Sequence, residues 1–372
     1  ESHPMKPTIQ LLTALLLAPL AALHAADERK PVLIESKRIW DQAKNNSFTD
    51  LIRFRDRWFC CFREGIHHAG DDGKIRVLQS DNGAGWTSAA LIGEVGVDLR
   101  DPKFSIKPDG RLMIVAGGSI WREDSKTPLL KTKQPRVIFS EDGIHWTPPK
   151  KILKEGQWLW RVDWHQGKAY GISYPYKRAQ HPDPKVAEAA ETNGPVPPGP
   201  YDWKPGLYAS TDGLNWELVT HIDVPGRPNE ATVRIRPDGE MIAMVRRERG
   251  NYFGWIGSSQ PPYHEWRWHE TEHRFGGPNF IVLPDGSLIA AGRSYRKPFS
   301  TVVATMDREH YEISLILPSG GTDTGYPGMV WHENELWVSY YSAHEDRNGQ
   351  PPPNRHTALP TAIYLARVRF EK

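Results

Sequence analysis

Ser140-Glu141-Asp142-Gly143-Ile144-His145-Trp146 is the stretch that decides the fold, because it has companions. Ser210-Thr211-Asp212-Gly213-Leu214-Asn215-Trp216 repeats it with Ser, Asp, Gly and Trp at the same offsets. Ser80-Asp81-Asn82-Gly83-Ala84-Gly85-Trp86 repeats it again, with Asn in place of the acid. Locally, the acid side chain can accept backbone N–H groups of its own turn, Gly permits the tight bend, and Trp anchors the turn between strands. Fainter remnants are Ser258…Trp266 and Thr305-Met306-Asp307.

Outward from these turns, β-rich runs are split by short polar turns. They are Arg55-Asp56-Arg57, Pro108-Asp109-Gly110, His165-Gln166-Gly167, Pro237-Asp238-Gly239, Pro284-Asp285-Gly286 and Glu333-Asn334-Glu335. Pro presets one turn angle and Gly supplies positive φ, so Pro-Asp-Gly between apolar runs predicts a hairpin. Six hairpins spaced by roughly 50–70 residues match the size of four-stranded propeller blades. The expected fold is all-β: six blades around one axis, the three turn motifs equivalent and opposite the functional mouth. The one helical patch, Asp183–Thr192, lies in a Pro-rich insertion over 177–206, either a surface loop or a flap over the site.

The chain has 372 residues, 38% of them hydrophobic and 25% charged, with a formal net charge of +2. That balance argues against a protein built to hold nucleic acid. Met5-Lys6, an apolar run from Leu11 to Leu23 and then His24-Ala25-Ala26-Asp27 read as a secretory signal. The expected layout is a signal and leader remnant over 1–26, then one six-bladed domain over 27–372. The mature protein is expected to be periplasmic or secreted, with no further membrane segment. Cys60 and Cys61 are the only cysteines. Strand neighbours point to opposite faces, so two buried thiols are expected and no disulfide framework. The 15 Trp suit either sugar platforms or core packing.

In each hairpin the first strand's start and the second strand's end lie side by side, and all six such ends can face one mouth. The sequence places there Asp50, Arg63, Glu64, His67 and His68 from blade one, and Asp98, Arg100 and Asp101 from blade two. Blade three adds Trp158, Trp160, Arg161, Asp163 and His165; blade four adds Asn229, Glu230, Arg246 and Arg247. Blades five and six add Asn279, Arg293, Arg296, Asp323, Tyr326, His344 and Glu345. Converging arginines make a multi-donor anion site or inter-blade salt bridges.

Three features resemble the sialidase superfamily: the turn motifs, which look like its Asp-box; the segment Asn229-Glu230-Ala231-Thr232-Val233 through Arg246; and the tract Gly325-Tyr326-Pro327-Gly328-Met329-Val330 through Tyr341. The resemblance implies an exported exo-glycosidase acting on a terminal, anionic sugar of a glycan, either sialic-acid-like or uronic. It implies Tyr326 as nucleophile and Glu230 as its base, since a phenol needs a nearby base to attack near neutral pH. It implies arginines for the sugar's carboxylate, here Arg246 and Arg293 or Arg296. The family's Arg-Ile-Pro motif is replaced by Phe48-Thr49-Asp50-Leu51, so Arg63 or Arg161 would complete the clamp. The acid/base position falls in Gly65–Asp72, where His68 is the candidate because imidazoles titrate near neutrality; Asp71 and Asp72 are the other acids there. Asp50, Arg100 and Asp101 complete the expected substrate-binding set. No cofactor or metal is expected: the spacing of His67, His68 and Asp50 matches no standard zinc pattern. No Gly-x-Ser-x-Gly elbow occurs, which argues against a serine hydrolase. A non-catalytic sugar-binding propeller and a polysaccharide lyase using His and Tyr stay open beside the hydrolase.

Overall fold

The computed structural model describes residues 30–122, 128–175, 203–353 and 358–371. The expected signal over 1–26, and the insertion over 177–206 up to residue 202 with its Asp183–Thr192 patch, lie outside them.

The described residues form six antiparallel four-stranded sheets arranged as a six-bladed β-propeller. Blade one is β2 (Asn45–Phe54), β3 (Arg57–Gly65), β4 (Lys74–Ser80) and β5 (Thr87–Ile92). Blade two is β6 (Asp98–Ile106), β7 (Leu112–Trp121), β8 (Leu130–Ser140) and β9 (Lys150–Lys151). Blade three is β10 (Gln157–His165), β11 (Lys168–Pro175), β12 (Gly206–Ser210) and β13 (Glu217–His221). Blade four is β14 (Pro228–Ile235), β15 (Met241–Arg247), β16 (Trp255–Ser259) and β17 (Arg267–Glu270). Blade five is β18 (Phe275–Val282), β19 (Leu288–Ser294), β20 (Ser300–Met306) and β21 (Tyr311–Ile316). Blade six joins β22 (Thr324–His332), β23 (Glu335–Ser342) and β24 (Ala362–Glu371) to the first strand among the described residues, β1 (Lys30–Trp40).

The six predicted hairpins are the turns between each blade's two innermost strands, and they come in two chemistries. In blades one, three and six both central residues are left-handed: Arg55 and Asp56, Gln166 and Gly167, Glu333 and Asn334. That is the turn whose twist matches a hairpin. In blades two, four and five the Pro-Asp-Gly turns keep only Gly left-handed. The Asp side chain then accepts the amide of Arg111, Glu240 or Ser287 at 2.9–3.1 Å.

The Ser/Asp/Gly/Trp turns link the two outer strands. In blade two Asp142 accepts the amides of Ile144 and His145 at 2.8 Å, and Trp146 Nε1 donates to Gly143 O at 3.0 Å. Asp212 and Trp216 repeat this in blade three. In blade one Asn82 takes one amide, that of Ala84, and Trp86 bonds Gly83. Blades four and five keep fragments: Trp266 bonds Tyr263 O, and Asp307 accepts Glu309 and His310 amides. Each motif glycine leans on the second strand of the preceding blade. A Cβ on Gly83, Gly143 or Gly213 would meet Trp337, Phe59 or Met113 at 2.4–2.7 Å.

At the opposite end every innermost strand carries a β-bulge at the same position. Phe48-Thr49, Asp101-Pro102, Trp160-Arg161, Asn229-Glu230, Gly277-Pro278 and Tyr326-Pro327 each stand opposite one residue of the second strand. A bulge bends its strand and re-aims side chains. The first bulge residue is left-handed at Phe48 (64°), Asp101 (52°), Gly277 (55°) and Tyr326 (54°). An aromatic residue held there costs about 1 kcal/mol or more, so the surroundings must enforce it. Side chains near the bulges bond the next blade's bulge: Thr49 Oγ1 to Tyr326 O at 2.9 Å, Thr232 Oγ1 to Pro278 O at 2.6 Å, and Asn279 Nδ2 to Pro327 O at 3.1 Å.

The core lies between blades. Trp58, Trp158, Trp160 and Trp337 are all buried, which gives these four to packing. Cys60 and Cys61 are fully buried free thiols on one strand, and burial raises both above the ordinary thiol range. No helix among the described residues is long and apolar enough to cross a membrane.

Candidate active site

The bulges of blades four and six bring Glu230 and Tyr326 together. Tyr326 Oη donates to Glu230 Oε1 at 2.7 Å, and Arg246 Nη1 reaches Oε1 at 2.5 Å and the Tyr326 oxygen at 3.1 Å. The second carboxylate oxygen accepts the Gly277 amide at 2.8 Å, so the bulge of blade five completes the frame. Only Gly fits there: φ is positive, and a Cβ would lie 2.6 Å from the Tyr326 ring. Burial would raise the Glu230 carboxyl, but the Arg246 charge and these hydrogen bonds hold it below the ordinary range. Burial, and then the Glu230 charge, push the Tyr326 phenol well up. The resting pair is therefore a neutral phenol hydrogen-bonded to a carboxylate. Arg246 also pairs with Glu248, which takes Arg274 at 2.9 Å.

A second constellation adjoins the first. Arg293 lies 5.2 Å from the Tyr326 ring centre, and its Nη2 reaches Asp323 Oδ1 at 2.6 Å and Tyr341 Oη at 2.7 Å. Asp323 Oδ2 takes His68 Nδ1 at 2.8 Å. Burial would raise the Asp323 carboxyl, but the hydrogen bond from His68 and the Arg293 charge keep it low. Arg296, the alternative to Arg293, is exposed and meets His273 instead.

From blade two, Arg100 lies 4.7 Å from the Phe48 ring centre, with Asp98 at 3.7 Å and Asp101 at 3.9 Å. Asp101 is 8% exposed, its Oδ1 has no hydrogen-bond partner among the described residues, and burial raises its pKa.

Three of the expected substrate-binding residues are instead enclosed in the frame. Arg63 is fully buried and joins Asp98 (2.6 Å), Asp71 (3.0 Å) and His67 O (2.7 Å). Arg161 is 3% exposed and grips both oxygens of Asp50 at 2.8 and 2.9 Å; Asp50 also takes the Phe104 amide. These contacts span blades one, two and three. Asp71 accepts the amides of Ile66 and His67, so it caps the loop that presents His68.

Sequence reasoning passed over several side chains here. Glu248 and Arg274 carry no local motif, and Tyr341 closes the Gly325–Tyr341 tract with no role implied for it there. Lys133, near Asp101 and Glu230, is buried among Tyr174 (4.2 Å), Trp158 (4.8 Å) and Trp203 (5.8 Å), and burial drives its pKa well down. Its only signal is a lysine at an inward position of a strand. Among the described residues no group of three or more His, Cys, Asp or Glu gathers as a metal site would.

No sequence family and no curated protein matches the chain. Solved structures do. A Dyadobacter fermentans protein of unknown function superposes with a TM-score of 0.72 at 18% identity, over 92% of this chain and all of its own. Trypanosoma rangeli sialidase in complex with sialic acid gives 0.62 at 10% identity; the match covers 87% of this chain and 54% of the sialidase. Penicillium chrysogenum alpha-L-arabinanase complexed with arabinobiose gives 0.61 at 12% identity, over 90% and 98%. At such identities the likeness establishes a sialidase-like propeller, a fold shared here by glycoside hydrolases with different sugars.

Proposed function

We propose that the chain is an exported glycoside hydrolase of sialidase type that removes a terminal, acidic sugar from a glycan. The observation that carries this reading is the 2.7 Å bond from Tyr326 Oη to Glu230 Oε1 between two blades, with Arg246 against both. As Tyr326 attacks the anomeric carbon, its proton passes to Glu230 and the developing phenolate is met by Arg246. The departing oxygen takes a proton from His68. Water then releases the sugar from Tyr326, giving a proton to His68 while Glu230 returns one to the phenol. Arg246, Arg293 and Arg100 would face the sugar's acid group, with Asp101 among its hydroxyls. Arg63, Arg161 and Asp50 brace the blades beneath.

A second reading has its own support. All three guanidiniums already hold a carboxylate: Glu230 and Glu248, Asp323, and Asp98 with Asp101. That prior pairing favours a neutral sugar on the same machinery. Nitrophenyl sialosides, uronides and arabinofuranosides tested in parallel separate the two. A fluorinated glycosyl fluoride of the accepted sugar should leave a mass adduct on Tyr326. An adduct on Glu230 would move the nucleophile to the carboxylate; an unsaturated product would replace hydrolase by lyase. Binding without turnover would leave a sugar-binding propeller.

A further inference from the structure

We propose that Asp323 is a positioning residue for His68, and that the cavity opening beside this dyad is the subsite for the leaving-group sugar. The inference rests on the hydrolase reading and names which part of the glycan that half of the site holds.

The dyad is built from three blades. The loop after β3 carries His68 and is pinned by Arg63 through Asp71 and the His67 carbonyl. Asp323, just ahead of β22, is fixed by Tyr341 at 2.9 Å and by Arg293 from blade five at 2.6 Å. A carboxylate so held can accept only a proton-bearing nitrogen from His68. Nδ1 therefore keeps its hydrogen, and Nε2 is left as the atom that exchanges protons. Phe48 sets the direction: its ring packs edge-on to His68 at 5.2 Å and to Tyr326 at 5.0 Å. One aromatic ring thus spaces the nucleophile's phenol from the imidazole. A glycosidic carbon at Tyr326 places its leaving oxygen toward His68.

His68, Arg293 and Asp323 line a cavity of about 670 Å³ together with Lys44, Ile66 and Thr361. That volume is within the range of small-ligand sites. Hydroxyl and ammonium groups beside aliphatic surface suit a sugar ring, which offers hydroxyl edges and C–H faces. Lys44 is exposed and has no carboxylate within salt-bridge distance among the described residues, so its ammonium can turn to a hydroxyl-rich or acidic leaving group. When the glycosidic C–O bond breaks, its electron pair stays on oxygen, which takes the proton from Nε2. Nδ1–H stays on Asp323. The neutral ring then takes a proton from the attacking water.

The test is a leaving-group series on the donor sugar that the wild type accepts: nitrophenyl glycosides of graded phenol acidity, and one natural disaccharide. Protonation matters most where the leaving group is a poor one. His68→Ala should lower kcat/KM for the disaccharide by about 10²–10⁴-fold and for the dinitrophenyl glycoside by less than about 10-fold. Asp323→Asn should show the same skew, more weakly, with Asp323→Glu recovering part of it. Lys44→Ala should raise KM for the disaccharide more than for the nitrophenyl glycosides. Equal losses across the series, in variants whose melting temperature is unchanged, would overturn the proposal while leaving the hydrolase reading intact. An Asp323→Asn chain that does not fold leaves His68→Ala and Lys44→Ala to decide. A wild type that cleaves no glycoside in the panel overturns both.

Discussion

The two ends of the propeller are made by the same strands under different rules. At the closed end, turns are satisfied within themselves: Asp142 and Asp212 bond amides two and three residues on, and the hairpin acids bond two residues on. At the mouth, the decisive bonds join residues far apart in sequence. Tyr326 meets Glu230, Arg161 meets Asp50, and Thr49 meets the Tyr326 carbonyl. The closed end has a buried inter-blade charge of its own, Glu240, held by Arg308 of the next blade, but its turn acids bond locally, whereas the site at the mouth is assembled from charges of several blades.

Substitutions at the two ends should therefore separate turnover from stability. The largest effect is expected from Tyr326→Phe, which keeps the ring and deletes the hydroxyl. Turnover on the accepted glycoside should fall by about 10³-fold or more, a barrier increase of about 4 kcal/mol. The melting temperature should hold within a few degrees, because the ring still packs on Phe48 and Trp160. Next comes Asp50→Ala, which strands a buried Arg161. About 3–5 kcal/mol of stability should be lost in urea unfolding. A loss under 1 kcal/mol would place Arg161 in a more solvated position.

At the closed end, Gly143→Ala forces a Cβ to within 2.4 Å of Phe59 at a φ of 80°. About 1–3 kcal/mol should be lost, with kcat/KM unchanged. Asp142→Ala removes the one carboxylate oxygen that accepts two amides in a half-exposed turn and should cost about 1 kcal/mol. If either variant altered kcat/KM beyond twofold, the separation of the two ends would fail.

The smallest effect is a pH dependence. The folded-state carboxyls of Glu230 and Asp323 lie below their ordinary values. Their contribution is therefore complete above the unfolded values, near pH 4. It is lost as pH falls through the folded ones. Melting temperatures between pH 7 and pH 3 should drop, and Glu230→Gln should flatten part of that drop.

This contrast also explains what was legible in the sequence. The turn motifs and the Pro-Asp-Gly hairpins are local chemistry, so six repeats gave the blade count without any partner being known. Strand starts offer many polar residues, and only the resemblance to sialidases singles out Tyr326 and Glu230, which the fold brings within hydrogen-bond distance. Arg63 and Arg161 were misread toward the ligand because sequence gives the end of a strand, not the carboxylate that waits there. The bulges were invisible for the same reason. Only Gly277 departs from the aromatic and polar residues at equivalent positions, and nothing in Phe48-Thr49 or Asp101-Pro102 announces an extra residue against a neighbour. Glu248 and Lys133 belong to no motif, and their relevance arises from what the ring folds around them.

Ring closure sets an order on events during folding. Blade six takes its outer strand from β1, more than 300 residues before β24 in sequence: Lys30 pairs with Glu371 and Trp40 with Ile363. Until β24 is in place, β1 has no ladder to join. Bringing such distant segments together carries a long-loop entropy and places the pairing late. For that interval β1 and the growing rim of blade six are bare edges, open to pairing with another copy's strand. β1 answers with Lys30, Glu35, Lys37 and Arg38 along its length, charges that discourage a foreign strand until its own partner arrives.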